Sequence, residues 1–159
     1  MPQDCRQNVL ELKVPPLVLG LFVAALMWLA SWTLQAFSFL VPASNPLAVI
    51  LAGAGGFISI LGLGSFRRAR TTVNPMKPAA TSSLVVSGVY AFTRNPMYLG
   101  FLLLLAGWAI FLSNAIAFVF LPLFVFYMNR FQIEPEERAL AAKFGQEFIA
   151  YKSRVRRWL

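Results

Sequence analysis

Two short clusters hold most of the chemistry this chain can offer: Arg94-Asn95-Pro96-x-Tyr98, and the adjacent pair Glu136-Glu137. Asn95 followed by Pro96 reads as a helix start, with Asn as N-cap and Pro at the first helical position, where a missing N–H costs nothing. The free backbone N–H groups and positive dipole end of such a helix suit a carboxylate or a phosphate. Arg94 and Arg130 can hold the same anionic group, while Glu136 and Glu137 accept from hydroxyls or from an ammonium. Tyr90, Tyr98 and Tyr127 add aromatic faces and hydroxyls. A polar zwitterion fits this mixture.

Each residue also has a plain structural role. Asn95-Pro96 is a sound helix cap by itself, the glutamates complement a helix dipole, and the arginines can snorkel to lipid headgroups. Other chemistries are excluded more firmly. The chain has no histidine and one cysteine, Cys5, which rules out an internal disulfide and argues against a metal centre or a histidine-based triad. Gly53-Ala54-Gly55-Gly56 imitates a dinucleotide loop, but no strand precedes it and no acidic residue follows at the proper distance. Small residues four apart, Ala52 with Gly56 and Gly55 with Ser59, instead let membrane helices approach closely.

The elements that must position these clusters follow from where charge is missing. All 20 charged side chains lie in three segments; Val14 to Phe66 and Asn95 to Asn129 carry none. A charge at the bilayer centre costs at least a few kcal/mol, so such long uncharged stretches belong in a membrane. Val41-Pro42-Ala43-Ser44-Asn45-Pro46 and Ser113-Asn114 break the two stretches, giving four spans at about 16–40, 46–66, 96–112 and 114–130. The expected fold is a single all-α integral membrane domain over residues 1–159. A loop at 67–94 joins spans 2 and 3.

Beyond span 4, Pro135 with its acidic neighbours reads as a new helix start. Leu140, Phe144, Phe148, Tyr151 and Val155 then recur every three or four residues, which predicts a C-terminal amphipathic helix over about 135–157 lying on the membrane interface. All 14 basic residues fall on one side of a four-span arrangement. The positive-inside rule makes that side cytoplasmic, with both termini and the candidate site on it. The net charge of +8 is thereby assigned to membrane lipids, with no motif for nucleic acid. Asp4 and Glu11, ahead of a long apolar run, do not look like a cleavable signal.

Spans 3 and 4 form an antiparallel hairpin in this reading, and residues whose numbers sum to about 227 face each other. Arg94 then meets Ile133, Asn95 meets Gln132 and Tyr98 meets Asn129. Both polar clusters arrive at one membrane boundary.

The pattern Gly88-x-Tyr90-x-x-x-Arg94-Asn95-Pro96-Met97-Tyr98-x-Gly100, followed by Glu136-Glu137-x-x-Leu140-x-x-x-Phe144-Gly145-x-x-Phe148-x-x-Tyr151-x-x-x-Val155, strongly resembles the isoprenylcysteine carboxyl methyltransferase family and its phospholipid methyltransferase relatives. The resemblance implies methyl transfer from S-adenosylmethionine to a lipophilic acceptor, an isoprenylcysteine-like carboxylate or similar. It makes Arg94, Asn95, Pro96, Tyr98, Glu136 and Glu137 the cofactor pocket. The hairpin register then sets the reactive head of the acceptor at the membrane surface beside Tyr98, Asn129 and Arg130, the expected catalytic residues. The family carries His where this chain has Asn95, so any role needing a titrating imidazole is absent. The arginine that precedes the Glu pair in the prenylcysteine enzymes falls at Gln132 rather than Arg130. Phospholipid or amine N-methylation is the alternative within the same chemistry; a reductase using NADPH and a non-catalytic membrane scaffold are the alternatives outside it.

Overall fold

The structure is a computed structural model and describes residues 11–69 and 81–159; the expected loop positions 70–80 and the first ten residues lie outside them. The described residues are mostly helical. In order they are α1 (Pro16–Thr33), α2 (Ser44–Arg68), α3 (Pro96–Leu112), α4 (Ala115–Tyr127), α5 (Glu134–Phe144) and α6 (Gln146–Arg154). A π-helical segment, Met128–Ile133, joins α4 to α5 without interruption. Pro16–Thr33, Ser44–Arg68 and the continuous helix Ala115–Phe144 are long and apolar enough to cross a membrane, and Pro96–Leu112 is a shorter apolar helix. The fold is that of an all-α integral membrane protein.

The central helix is α3. It packs along α2 where small residues remove the side-chain layer between them: a Cβ added to Gly55 would come within 2.6 Å of the Gly100 carbonyl, and one on Gly100 within 2.5 Å of the Gly55 carbonyl. The small-residue face of α2 thus serves an internal contact, as Gly55 with Ser59 predicts. Gly56, expected to pair with Ala52 on such a face, meets open space. On its other side α3 meets α1 and α4 around a core of Val23, Met27, Leu105, Ala109, Ala117 and Phe124. Trp108 Nε1 donates to the Ala24 carbonyl at 3.1 Å, tying α3 to α1.

Three expectations need correction. Span 1 does not run to residue 40, because α1 stops at Thr33. The reason is Asn114, fully buried at the α3–α4 turn, whose Nδ2 donates to the Leu34 carbonyl (2.9 Å) and Ser38 Oγ (3.3 Å). Phe39 N also bonds the Ser113 carbonyl (2.9 Å), so residues 34–39 fold over that turn instead of extending the helix.

Pro135 does not begin a new helix. It lacks the N–H that would return to the residue 131 carbonyl, and its ring would crowd that carbonyl in regular α winding. The chain solves both with the π segment and an outside donor, Leu12 N, which bonds the Phe131 carbonyl at 3.1 Å. The Glu11 carboxylate accepts from Arg138 beside it (2.5 Å).

The third correction concerns the C-terminal amphipathic helix. Gly145 takes a left-handed φ of 51°, which ends α5 and starts α6 in a new direction. Phe148 and Tyr151 are buried, and the Tyr151 hydroxyl donates to the Tyr90 carbonyl at 2.7 Å. The apolar stripe is therefore turned onto the protein itself.

Candidate active site

A cleft opens where α3 begins. Its walls come from Phe66 at the end of α2, residues 81–85, the 3₁₀ turn Gly88–Ala91, the start of α3, the π segment and α5–α6. The polar residues lining it include Arg94, Asn95, Tyr98, Glu136 and Glu137. Phe66, Met97, Ile133, Leu140 and Phe148 form its apolar side. Fold-back brings the 94–98 cluster and the glutamate pair together, although in a register different from simple hairpin counting.

The π winding sets that register. Tyr98 faces Gln132 and Glu136 rather than Asn129: its hydroxyl donates to Glu136 Oε1 (2.5 Å), and Gln132 Nε2 donates to the same oxygen (2.5 Å). Burial pushes the Glu136 carboxyl up to about 7, against the opposing pull of those two donors, with Glu137 adding to the rise. No cation is bonded to it among the described residues.

Glu137, one helical step on, has the opposite surroundings. Burial alone would raise its carboxyl, but the Arg157 and Lys152 hydrogen bonds and the Arg94 charge hold it below the usual range. Arg157 Nε and Nη2 lie 3.1 and 3.0 Å from its two oxygens, and Lys152 Nζ lies at 2.9 Å. Arg94 Nη1 is 3.2 Å from Oε1. Three cations on one carboxylate leave a local positive excess.

Arg94 is itself almost sealed, with a side chain 9% exposed and Nε without a hydrogen-bond partner among the described residues. Burial lowers its pKa, partly offset by Glu137. Burial also raises Tyr90 well above the ordinary phenol and pushes Tyr151 up to about 12, so both remain neutral proton donors.

Asn95 stands at the N-cap position, but its side chain makes no cap. Nδ2 donates to the Arg157 carbonyl (2.9 Å), and the Asn95 N–H is taken by Thr93 Oγ1 (3.2 Å). Pro96 begins α3 as expected and is buried against Gly62 rather than lining the cleft. Arg130 and Asn129 are not brought into the cleft. Arg130 is turned outward, 44% exposed, in an i,i+4 pair with Glu134 at 3.1 Å. Asn129 Oδ1 accepts from Arg157 (3.4 Å) and Trp158 Nε1 (3.1 Å), behind the cleft. The cause is again the π segment, which rotates both residues away from Tyr98.

Gln132, Thr93, Lys152 and Arg157 are the site residues that sequence reasoning underrated. Only Gln132 carried a local signal, its i,i+4 spacing from Glu136.

The sequence profile of the phospholipid methyltransferase family matches residues 43–147. The chain belongs to that family. Its resemblance to the isoprenylcysteine carboxyl methyltransferases is borne out by relatives. Protein-S-isoprenylcysteine O-methyltransferase of Mus musculus is 41% identical over 75 residues, 47% of this chain and 26% of that protein. The enzyme of that name from Saccharomyces cerevisiae is 37% identical over 75 residues, covering 45% of this chain and 30% of that one. An uncharacterized protein of Haemophilus influenzae is 46% identical over 63 residues, 40% of this chain and 100% of its own length. The match thus spans about a quarter to a third of the named methyltransferases. No solved structure matches.

Proposed function

We propose that this chain is a membrane methyltransferase that uses S-adenosylmethionine as methyl donor and a lipophilic molecule as acceptor. The observation that carries the reading is the meeting of Arg94, Asn95, Tyr98, Glu136 and Glu137 in one cleft. The donor set suits this zwitterion: among the described residues Arg94 Nε is a buried donor without a partner, and Glu136 is a carboxyl group without a bonded cation. The first meets a carboxylate; the second meets hydroxyls or a positive centre. When bound, S-adenosylmethionine supplies an electrophilic methyl on a sulfonium. The protein's part is to hold donor and acceptor in line and to keep water out.

The apolar side of the cleft, Phe66, Met97 and Ile133, supports a greasy acceptor arriving from the bilayer. An isoprenylcysteine-like carboxylate is the acceptor that the curated relatives' name indicates. A specific observation favours a second reading, methylation of an amine headgroup: Arg130 is turned outward, and Glu136 is better suited to an amine than to a second carboxylate. Four spans with both termini and the cleft on the cytoplasmic side complete the proposal, supported by the one-sided distribution of basic residues.

Labelled-methyl transfer from S-adenosylmethionine into a total lipid extract, with identification of the product, tests activity and acceptor together. Thermal stabilisation by S-adenosylmethionine and S-adenosylhomocysteine, but not NADPH, is expected, because a ligand that binds the folded state raises its stability by mass action. Stabilisation by NADPH alone would support a reductase instead. A response to none would support a scaffold.

A further inference from the structure

The family match ends at residue 147, yet the cleft's back wall is finished by residues beyond it. After α6 the chain turns extended at Val155 and runs back across the entrance to α3. Its carbonyls take up donors there: Arg94 N bonds the Arg156 carbonyl (3.0 Å), while Thr93 Oγ1 (3.3 Å) and Asn95 Nδ2 (2.9 Å) share the Arg157 carbonyl. Its side chains reach the other wall, Arg157 to both oxygens of Glu137 and, with Trp158, to Asn129. Four hydrogen bonds to the glutamate helix and the π segment would be a surplus for mere anchoring; their common effect is to hold the two cleft walls at one spacing.

We infer that residues 155–158 are a strap that completes the donor site, with Arg157 a positioning residue acting through Glu137. This rests on the reading of the cleft as a methyl-donor site. Arg157 does not line the cleft; it stands behind Glu137, which does. A guanidinium bound in two places to one carboxylate fixes its plane as well as its position, which a single-point ammonium such as Lys152 does not. Asn95, in turn, holds the strap by its amide, a neutral contact whose strength does not change with pH near neutrality.

The test uses the full chain in detergent. Arg157→Ala is expected to weaken S-adenosylhomocysteine binding by calorimetry roughly tenfold, the size of one lost charge-assisted contact. Hydrogen exchange at the Arg94 amide should speed up without ligand, and Arg157→Lys should restore part of both. Arg154→Ala removes equal charge from an exposed position and is expected to change neither. If Arg157→Ala does not purify, Trp158→Phe removes only the indole bond to Asn129 and should give the same two changes at a smaller scale, about threefold. Unaltered affinity and exchange in Arg157→Ala or in Trp158→Phe would overturn the strap. Failure of the unmutated protein to bind S-adenosylhomocysteine would overturn the donor site, and with it the inference, while unchanged exchange remains the separate mark against strap docking.

Discussion

The two ends of the α3–α4 hairpin bury polar groups in opposite ways. At the turn end Asn114 is completely enclosed, and its amide is used up: Oδ1 accepts from Ile116 N at 3.0 Å, and Nδ2 donates to Leu34 and Ser38. Every group there is neutral. At the open end charges are buried, and their pairing is incomplete: among the described residues Arg94 Nε is unmatched and Glu136 has no bonded cation. A closed neutral network locks a fold, whereas buried charges with unspent capacity are costly unless something else completes them. The contrast separates a structural knot from a candidate binding site on physical grounds, independently of any relative.

The sharpest break in this comparison is Glu137→Ala. It removes the only carboxylate paired with Arg94 among the described residues, and losing one partner of a buried ion pair costs about 3–5 kcal/mol. A large fall in melting temperature is expected, with S-adenosylhomocysteine binding weakened by at least about 100-fold in calorimetry. Retained affinity would remove Glu137 from the donor site. Asn114→Ala comes next, at about 1–3 kcal/mol, since it leaves buried backbone groups unmet. Its thermal midpoint should fall while donor affinity stays unchanged; a change in affinity would show that the two ends are coupled.

The two glutamates sharpen the contrast further through pH. Glu136 has a raised folded value, about 7, so its contribution to stability is present below the ordinary glutamate range and is lost as pH rises toward and through 7. Glu137 is depressed, so its contribution is present above the ordinary range and is lost as pH falls through its folded value. If the ligand needs Glu136 ionised, S-adenosylhomocysteine affinity should weaken about tenfold from pH 8 to pH 6. Glu136→Gln should flatten that profile. A wild-type profile that is flat over this interval would show that binding does not require Glu136 to ionise.

The smallest expected effect belongs to Arg130→Ala. An exposed i,i+4 pair contributes about 0.3–0.5 kcal/mol, so stability should barely change and donor affinity should not change. A pronounced rise in acceptor KM would return Arg130 to the site and reverse the present assignment.

Much of this was legible before the structure. The break at Ser113-Asn114, the start of α3 at Pro96 and the use of Gly55 and Ser59 in helix packing all rest on local rules that the fold obeys. The cleft itself was legible as a meeting of two clusters. The departures from sequence expectation share one feature. The first helix stops short because residues 34–39 are held by Asn114, distant in sequence. Asn129 and Arg130 point away from Tyr98 because the π segment shifts the regular α count. The Asn95 side chain leaves the cap because its partner, the Arg157 carbonyl, comes from a segment with no pattern of its own.

The amino-acid order by itself determined the membrane helices, the hairpin and the face on which charge accumulates, since the cost of placing charge in hydrocarbon acts residue by residue. That Arg130 stays out of the cleft and that Arg157 supports it from behind Glu137 was decided only by tertiary structure. One π-helical segment and one left-handed glycine rotate whole helices, and a change of helix phase moves every later side chain at once. No local pattern records that rotation; it depends on donors such as Leu12 and acceptors such as the Arg157 carbonyl that only folding brings within reach.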